Sequence, residues 1–342
     1  MTRQIRLAAL VAAALAVPAA LSGCAASNGA TSDGNQLSIV GFSVLKTANE
    51  PVISAFQKTD AGKGVTFTTS YGASGDQSRA VAAGLHADEV HLSLTPDVQS
   101  LVDAGIVDKS WDQTPTHGIL TDSVVVFLVR KGNPLGIKSW DDLVKPGVKV
   151  ITPNPASSGS AKWNILAAWA HAADAAGGSD AKAKDFVTKL LHNTVAMPGS
   201  GSDALASFLA GNGDVLLAYE NDSIEARAAG DDVDYIVPQD TLLIENPAAV
   251  TTDASSKAQD FLDFQQSKEG QTLYAKAGFR PVIPGVKTDV AGANDPSNPF
   301  PKVPHLYTID QDFGGWDKAN SEFFDDKSGI ITKLISGLHI GS

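Results

Sequence analysis

The chain has 342 residues, 43% hydrophobic and 19% charged, which excludes a wholly disordered chain and a polytopic membrane protein. Asp and Glu outnumber Lys and Arg 38 to 26, a formal charge of −12, so no basic surplus exists to neutralise a phosphate backbone, and nucleic acid is not an expected partner. The single cysteine rules out an intramolecular disulfide and any cysteine-rich metal site, and a length above ~250–300 residues allows two packing units.

At the N-terminus, Arg3 and Arg6 precede an uncharged run, Leu7 to Leu21. That is the length of a signal h-region and falls short of the ~20 residues a membrane span needs. The run ends in Leu21-Ser22-Gly23-Cys24, which resembles a bacterial lipobox, where small residues admit a signal peptidase to the bond before a diacylated cysteine. Residues 1–23 are expected to be a lipoprotein signal peptide, Cys24 the lipidation site, and residues 24–36, small and polar, a flexible tether. An ordinary secretory signal with an incidental cysteine is the alternative. The mature chain is expected to be a soluble body on the outer face of the cytoplasmic membrane.

Beyond the tether, short apolar runs alternate with helical patterns. Leu37–Val40, Val65–Thr69 and Val90–Leu94 read as strands, with helices over Asp76–Leu85 and Val98–Ala104. A second series follows: strands Val124–Val129 and Val148–Ile151, helices Ser160–Ala173, Asp180–His192 and Ser202–Ala210, strand Val215–Tyr219, and helix Ser223–Ala229. The last hundred residues hold a strand, Leu242–Thr251, a long amphipathic helix, Ser255–Ala277, a Pro-rich stretch and a terminal helix near Lys327–Leu338. The alternation predicts an α/β fold with a largely parallel sheet. No long linker separates independent domains, so two lobes joined by crossover strands, with a cleft between them, are expected.

Three segments place a Gly/Ser-rich turn between a strand and a helix: Tyr71-Gly72-Ala73-Ser74-Gly75-Asp76, Ala156-Ser157-Ser158-Gly159-Ser160-Ala161, and Pro198-Gly199-Ser200-Gly201-Ser202. The first four N–H groups of a helix lack intrahelical partners and carry the positive end of the macrodipole. Glycine lets an anion approach that backbone, and serine adds a neutral donor. One such turn is common N-capping; three in one chain point to an oxyanion held by neutral dipoles, with little pH dependence near neutrality. The seven histidines form no HExxH or His-x-His pair, His86 and His91 read as surface residues, and neither a Walker motif nor a dinucleotide fingerprint is present. No cofactor or metal is expected. Trp163 and Trp169, six apart on one predicted helix, read as packing residues.

These loops carry a family resemblance. Ser70-Tyr71-Gly72-Ala73-Ser74-Gly75-Asp76-Gln77-Ser78 resembles the first anion loop of the sulfate/thiosulfate-binding proteins of bacterial ABC importers. Val126-Phe127-Leu128-Val129-Arg130-Lys131-Gly132-Asn133-Pro134 and Lys145-Pro146-Gly147 are similar to that family's central region. Val150-Ile151-Thr152-Pro153-Asn154-Pro155, Ser157-Ser158-Gly159 and Trp163-Asn164 match its most specific motif. Gly213-Asp214-Val215-Leu216, Glu220-Asn221, Gly278-Phe279-Arg280-Pro281 and Phe313-Gly314-Gly315-Trp316 extend the match along the mature chain.

The resemblance implies a two-lobed type II periplasmic-binding fold, each lobe a mixed or parallel sheet flanked by helices. Lobe I would span 37–122 and 243–342, lobe II 123–242, with a dehydrated sulfate or thiosulfate in the interlobe cleft. It implies that Ser43 donates its backbone N–H and Ser74 its hydroxyl. Ser158, Gly159 and Ser160 would donate from a helix N-terminus, and Ser200 from the third loop. Tyr219 stands where relatives place a tryptophan whose indole N–H reaches the anion. Gly201 replaces a family arginine that can pair with the aspartate at Asp97, Ser160 replaces a glycine, and Asp76 replaces a lysine. The implied partners are the anion and a membrane permease, and the chain is expected to be a monomer. Molybdate or phosphate on the same scaffold is the nearer alternative; phosphate retains a proton and needs an acceptor, for which Asp76 is the candidate, although an outward, dipole-complementing acid is its simpler reading. A secreted serine hydrolase using Ser74 or Ser200 is the remoter one, and it requires a histidine on the serine.

Overall fold

The computed structural model describes residues 35–338; the expected signal peptide, Cys24 and nearly all of the tether lie outside the described residues. The chain enters at β1 (Gln36–Phe42), followed by α1 (Leu45–Phe56), β2 (Thr66–Gly72), α2 (Ser74–Ala82), β3 (Glu89–His91) and α3 (Thr95–Asp103). Next come β4 (Ile119–Arg130), α4 (Trp140–Leu143), β5 (Val150–Ile151), α5 (Gly159–Asp174), α6 (Asp180–His192), β6 (Thr194–Ala196), α7 (Gly201–Leu209), β7 (Val215–Tyr219), α8 (Glu220–Ala229) and β8 (Val233–Ile236). The chain then returns through β9 (Asp240–Val250), α9 (Ser256–Gln266), α10 (Lys268–Lys276) and β10 (His305–Tyr307). It closes with α11 (Ile309–Asp312), α12 (Trp316–Ala319), a π-helical turn over Asn320–Phe324, and α13 (Ile330–Ser336).

The strands form one ten-stranded path, β2-β1-β3-β9-β4-β7-β5-β6 with β10 on β9 and β8 on β4, whose two halves, the first and second sheets, meet where β4 pairs with β9. In the first, β1 lies between β2 and β3, both parallel to it, and β3 pairs antiparallel with the end of β9. In the second, the latter half of β4 lies between β7 and β8, antiparallel to both, while β5 runs parallel to β6 and β7. Thr121–Val124 of β4 pairs with Leu243–Asn246 of β9, and those two strands carry the chain between the sheets. The sheet is thus mixed rather than largely parallel, because β4 and β9 cross in opposite directions. Their apolar runs suit this position: every residue from Ser123 to Val129 is buried, as a strand covered on both faces requires. On α5 nearly the whole circumference is buried, consistent with its Ala- and Trp-rich sequence.

Residues 45–56 form α1 despite Pro51, because Leu45, Ala48, Val52 and Phe56 bury one face. Two expectations are corrected. The predicted helix Ser255–Ala277 breaks at Ser267, whose backbone is extended and whose hydroxyl accepts the Gly270 N–H at 3.2 Å. His91 is not a surface residue: it is fully buried on β3, with Nε2 3.3 Å from the Thr121 hydroxyl, and burial pushes its pKa down to about 3. The tail from Val290 onward reaches several parts of the molecule, with α12 packed beside α3. Val290, Ala293 and Val303 join the cluster of Val124, Leu216 and Tyr235. Trp316 packs edge-on against Trp163 at 4.8 Å, and Phe323 against Trp169 at 4.8 Å. The two tryptophans of α5 are packing residues, as read.

Candidate functional site

All three Gly/Ser turns are helix starts. Ala73 precedes the first residue of α2, Ser158 caps the position before α5, and Ser200 that before α7. The intervening fold brings them together. The Gly75 N–H donates to the Ser157 carbonyl at 3.1 Å, and the Ser157 hydroxyl donates to the Gly199 carbonyl at 2.7 Å. Asn154 donates its N–H to the Pro198 carbonyl at 2.8 Å, so the Thr-Pro-Asn-Pro segment ties the second loop to the third. The Ser202 N–H reaches the Ser43 hydroxyl at 3.4 Å, which brings the start of α1 into the same cluster. A cleft of about 320 Å³ opens here, bounded by Ser43, Lys46, Tyr71, Gly72, Asp76 and Ser200 among others.

Glycine is required where these helix starts meet. A Cβ on Gly159 would lie 2.3 Å from the Ser93 hydroxyl and 2.9 Å from Leu94. One on Gly201 would lie 2.9 Å from both the Ser160 hydroxyl and Val44. The starts of α5 and α7 are therefore packed at close quarters, α5 against the turn after β3 and α7 against Ser160 and the turn before α1.

The hydroxyls are disposed differently from expectation. Ser74 Oγ donates to the Asp97 carboxyl at 2.5 Å and accepts the Ser93 N–H at 2.9 Å. Ser200 Oγ donates to Asp203 at 2.7 Å and accepts the Asp203 N–H at 3.1 Å, a self-contained N-cap. Each of these two O–H groups thus already has a carboxylate acceptor. The Ser158 N–H donates to the Asn154 carbonyl at 2.9 Å, and its side chain caps nothing. Ser160, in the first turn of α5, is buried, its hydroxyl 2.9 Å from where a Cβ on Gly201 would lie. The Tyr219 hydroxyl, at the end of β7, lies 2.6 Å from the Ser93 hydroxyl and accepts from Asn246 Nδ2 at 3.3 Å. Tyr219 is fully buried, so it is not at the cleft mouth as its position before a helix suggested.

Asp76 is exposed in the first turn of α2 and pairs with Arg79, and it also lines the cleft. Asp97 is the acid inside the cluster. Burial pushes its carboxyl up, while the Ser74 hydrogen bond, then Lys162 and Arg79, pull it down. Glu220, fully buried beside Tyr219, is clamped by Arg280 through two bonds of 2.6 and 3.0 Å, the bidentate geometry of a guanidinium on a carboxylate. That pair gives the Gly-Phe-Arg-Pro segment its role: it fixes the turn that carries Tyr219.

Pattern reading missed Ser93 and Asn246. Ser93 donates its N–H to Ser74, accepts the Trp163 indole N–H at 3.1 Å and Asn246 Nδ2 at 3.1 Å on its carbonyl, and meets Tyr219 through its hydroxyl. The available signal was Thr95-Pro96 just after it, a helix start that makes 92–95 a fourth strand-to-helix turn.

A family model for bacterial extracellular solute-binding proteins matches residues 37–280. The sulfate-binding protein of Synechococcus elongatus is 37% identical over 321 residues, covering 90% of this chain and 89% of the relative. That of Escherichia coli is 40% identical over 281 residues, covering 79% and 83%. The solved structure of the sulfate-binding protein SubI from Mycobacterium tuberculosis H37Rv superposes with a TM-score of 0.79 at 45% identity, covering 85% of this chain and all of that one. With its two bridged α/β sheets and these relatives, the chain belongs to the bacterial extracellular solute-binding proteins and has the two-lobed type II periplasmic-binding fold.

Proposed function

We propose that this chain is the sulfate receptor of an ABC importer, delivering the anion to a membrane permease. The observation that carries the reading is that the loops before α2, α5 and α7 are bonded to one another through the Gly75–Ser157 and Ser157–Gly199 bonds, beside a cleft lined by the starts of α2 and α7. The names of its relatives agree with it. The ligand groups are Ser43, Ser74, Ser158, Gly159, Ser160, Ser200 and Tyr219, with backbone N–H groups the principal donors. Lobe I comprises 37–122 and 243–342 and lobe II 123–242, with β4 and β9 carrying the chain between them. Sulfate, which only accepts hydrogen bonds, suits such a donor set.

The same reading makes the chain a monomeric binding protein and not an enzyme. The hydroxyls of Ser74 and Ser200 donate to Asp97 and Asp203 and not to a histidine, so the Ser-His arrangement of the hydrolase alternative is not met at either serine. Among the described residues no helix is long and apolar enough to cross a membrane. Anchoring at the outer face of the cytoplasmic membrane is assigned to acylated Cys24 after removal of residues 1–23. Calorimetry of the mature protein with sulfate, thiosulfate, phosphate and molybdate tests the function. Tight phosphate binding with no sulfate heat would overturn it. Membrane retention and processing unchanged in Cys24→Ser would overturn the anchor.

A further inference from the structure

We infer that Ser93 is a positioning residue for anion binding: its hydroxyl donates to Tyr219 across the two sheets and so directs the Tyr219 proton toward the anion cluster. The inference rests on the anion-receptor reading and goes beyond it, because Ser93 belongs to none of the Gly/Ser turns.

The argument is a count of protons around one oxygen. A phenol has two acceptor sites and one donor proton. Asn246 Nδ2 has only protons to offer, and it gives one to Tyr219 at 3.3 Å and one to the Ser93 carbonyl at 3.1 Å. The 2.6 Å contact between the Ser93 and Tyr219 hydroxyls runs in one of two directions. If Tyr219 donated, the Ser93 proton would need another acceptor, and the oxygens at hand are poor candidates. The Ser93 carbonyl already takes two N–H groups, and Ser74 Oγ, which receives the Ser93 N–H, is committed to Asp97. If Ser93 donates, both acceptor sites of Tyr219 are filled. Its own proton is then left over, beside the start of α5, where Gly159 lies against the Ser93 hydroxyl and where an anion bound to that helix would sit.

The pair also joins the two sheets. Ser93 follows β3 in the first and Tyr219 ends β7 in the second, 126 residues apart. Both side chains are buried, which strengthens a hydrogen bond and makes an unmade one costly. Gly159 leaves room for the Ser93 hydroxyl at the α5 terminus, so the serine sits beside the donors without displacing them.

The test is a double-mutant cycle on sulfate affinity with wild type, Ser93→Ala, Tyr219→Phe and the double variant, by calorimetry. Ser93→Ala and Tyr219→Phe should each weaken binding roughly tenfold, and the double variant should be no more than about threefold weaker than Tyr219→Phe. Wild-type affinity in Ser93→Ala overturns the inference, as does a double variant about a hundredfold weaker, since Ser93 would then act without Tyr219. Resonance Raman of the tyrosine doublet gives a readout that simple packing would not move, and it serves if Ser93→Ala misfolds. Sulfate should shift the doublet in wild type and leave it unshifted in Tyr219→Phe; no shift in wild type overturns the inference. If wild type gives no heat with sulfate but binds thiosulfate, molybdate or phosphate, the sulfate reading fails, and the cycle is scored on that anion.

Discussion

Substituting one glycine at the start of α5 separates a contact between lobes from a contact within one. In Gly159→Ala the new Cβ would lie 2.3 Å from the Ser93 hydroxyl, 2.6 Å from its Cβ and 2.9 Å from Leu94. Distances under 3 Å to three atoms cannot be relieved by one rotamer change, because Ser93 Cβ is fixed by its backbone. Overpacking of this kind costs ~1–3 kcal/mol. Gly159 belongs to a helix on the second sheet and Ser93 to the loop after β3 on the first, so a small separation of the lobes removes the clash. The cost should fall on the closed, anion-bound state: sulfate affinity should drop about five- to a hundredfold, with the melting temperature of the ligand-free protein nearly unchanged. Gly199→Ala is the control, since its Cβ would meet only Asp203 Oδ2, at 3.9 Å. Calorimetry and thermal melts on both variants decide the matter. Wild-type affinity in Gly159→Ala, or a large fall in melting temperature without loss of affinity, would refute the reasoning.

Three further outcomes follow from the buried charges. Arg280→Met leaves Glu220 buried without its clamp and should lower unfolding free energy by about 3–5 kcal/mol in urea titration, with a smaller loss when combined with Glu220→Gln. Burial pushes the Glu89 carboxyl up to about 8, whereas unfolded glutamate titrates near ~4.3. Between those values the native state holds a proton that the unfolded state has lost, so this group lowers stability as pH rises, by up to ~1.4 kcal/mol per unit, and Glu89→Gln should flatten that decline in denaturation midpoints. The Asp97 carboxyl beside Ser74 replaces the expectation of pH-independent binding. Its protonation removes a negative charge next to the anion, so affinity should rise as pH falls, and Asp97→Asn should bind more tightly near pH ~8 and lose the pH dependence.

The order of strands and helices was legible because their signals are local. Ser179 and Ser200 cap the helices they precede, and the run from Val124 to Val129 is apolar enough to be a strand covered on both faces. The Gly/Ser turns were legible for the same reason. What stayed hidden depends on distant partners. Glu89 and His91 look solvated in sequence, yet Gln265 bonds Glu89 from 176 residues away and Thr121 meets His91 from the crossing strand. Lone Pro51 disguised α1, and Ser267 broke a helix whose apolar pattern continues past it. Asp97 lies 23 residues from Ser74, a spacing that carries no motif, although the resemblance had marked Asp97 as a pairing residue.

The carboxylates behind the serines change which donors matter. A hydroxyl has one proton, and those of Ser74 and Ser200 already rest on Asp97 and Asp203. Turning either toward an anion forfeits a charge-assisted bond worth ~1.5–3 kcal/mol, about what the new bond returns. A backbone N–H at a helix start is unpaired within the helix, fixed in direction and reinforced by the macrodipole, although those of Ser158, Ser202 and Asp203 already donate to Asn154, Ser43 and Ser200. On the proposed reading, recognition falls mainly on the N–H groups at the starts of α5 and α7 that have no such partner. There a side chain as small as alanine already collides with Ser93, Ser160 or Val44. The glycines, more than the serines around them, make this acidic protein an anion receptor.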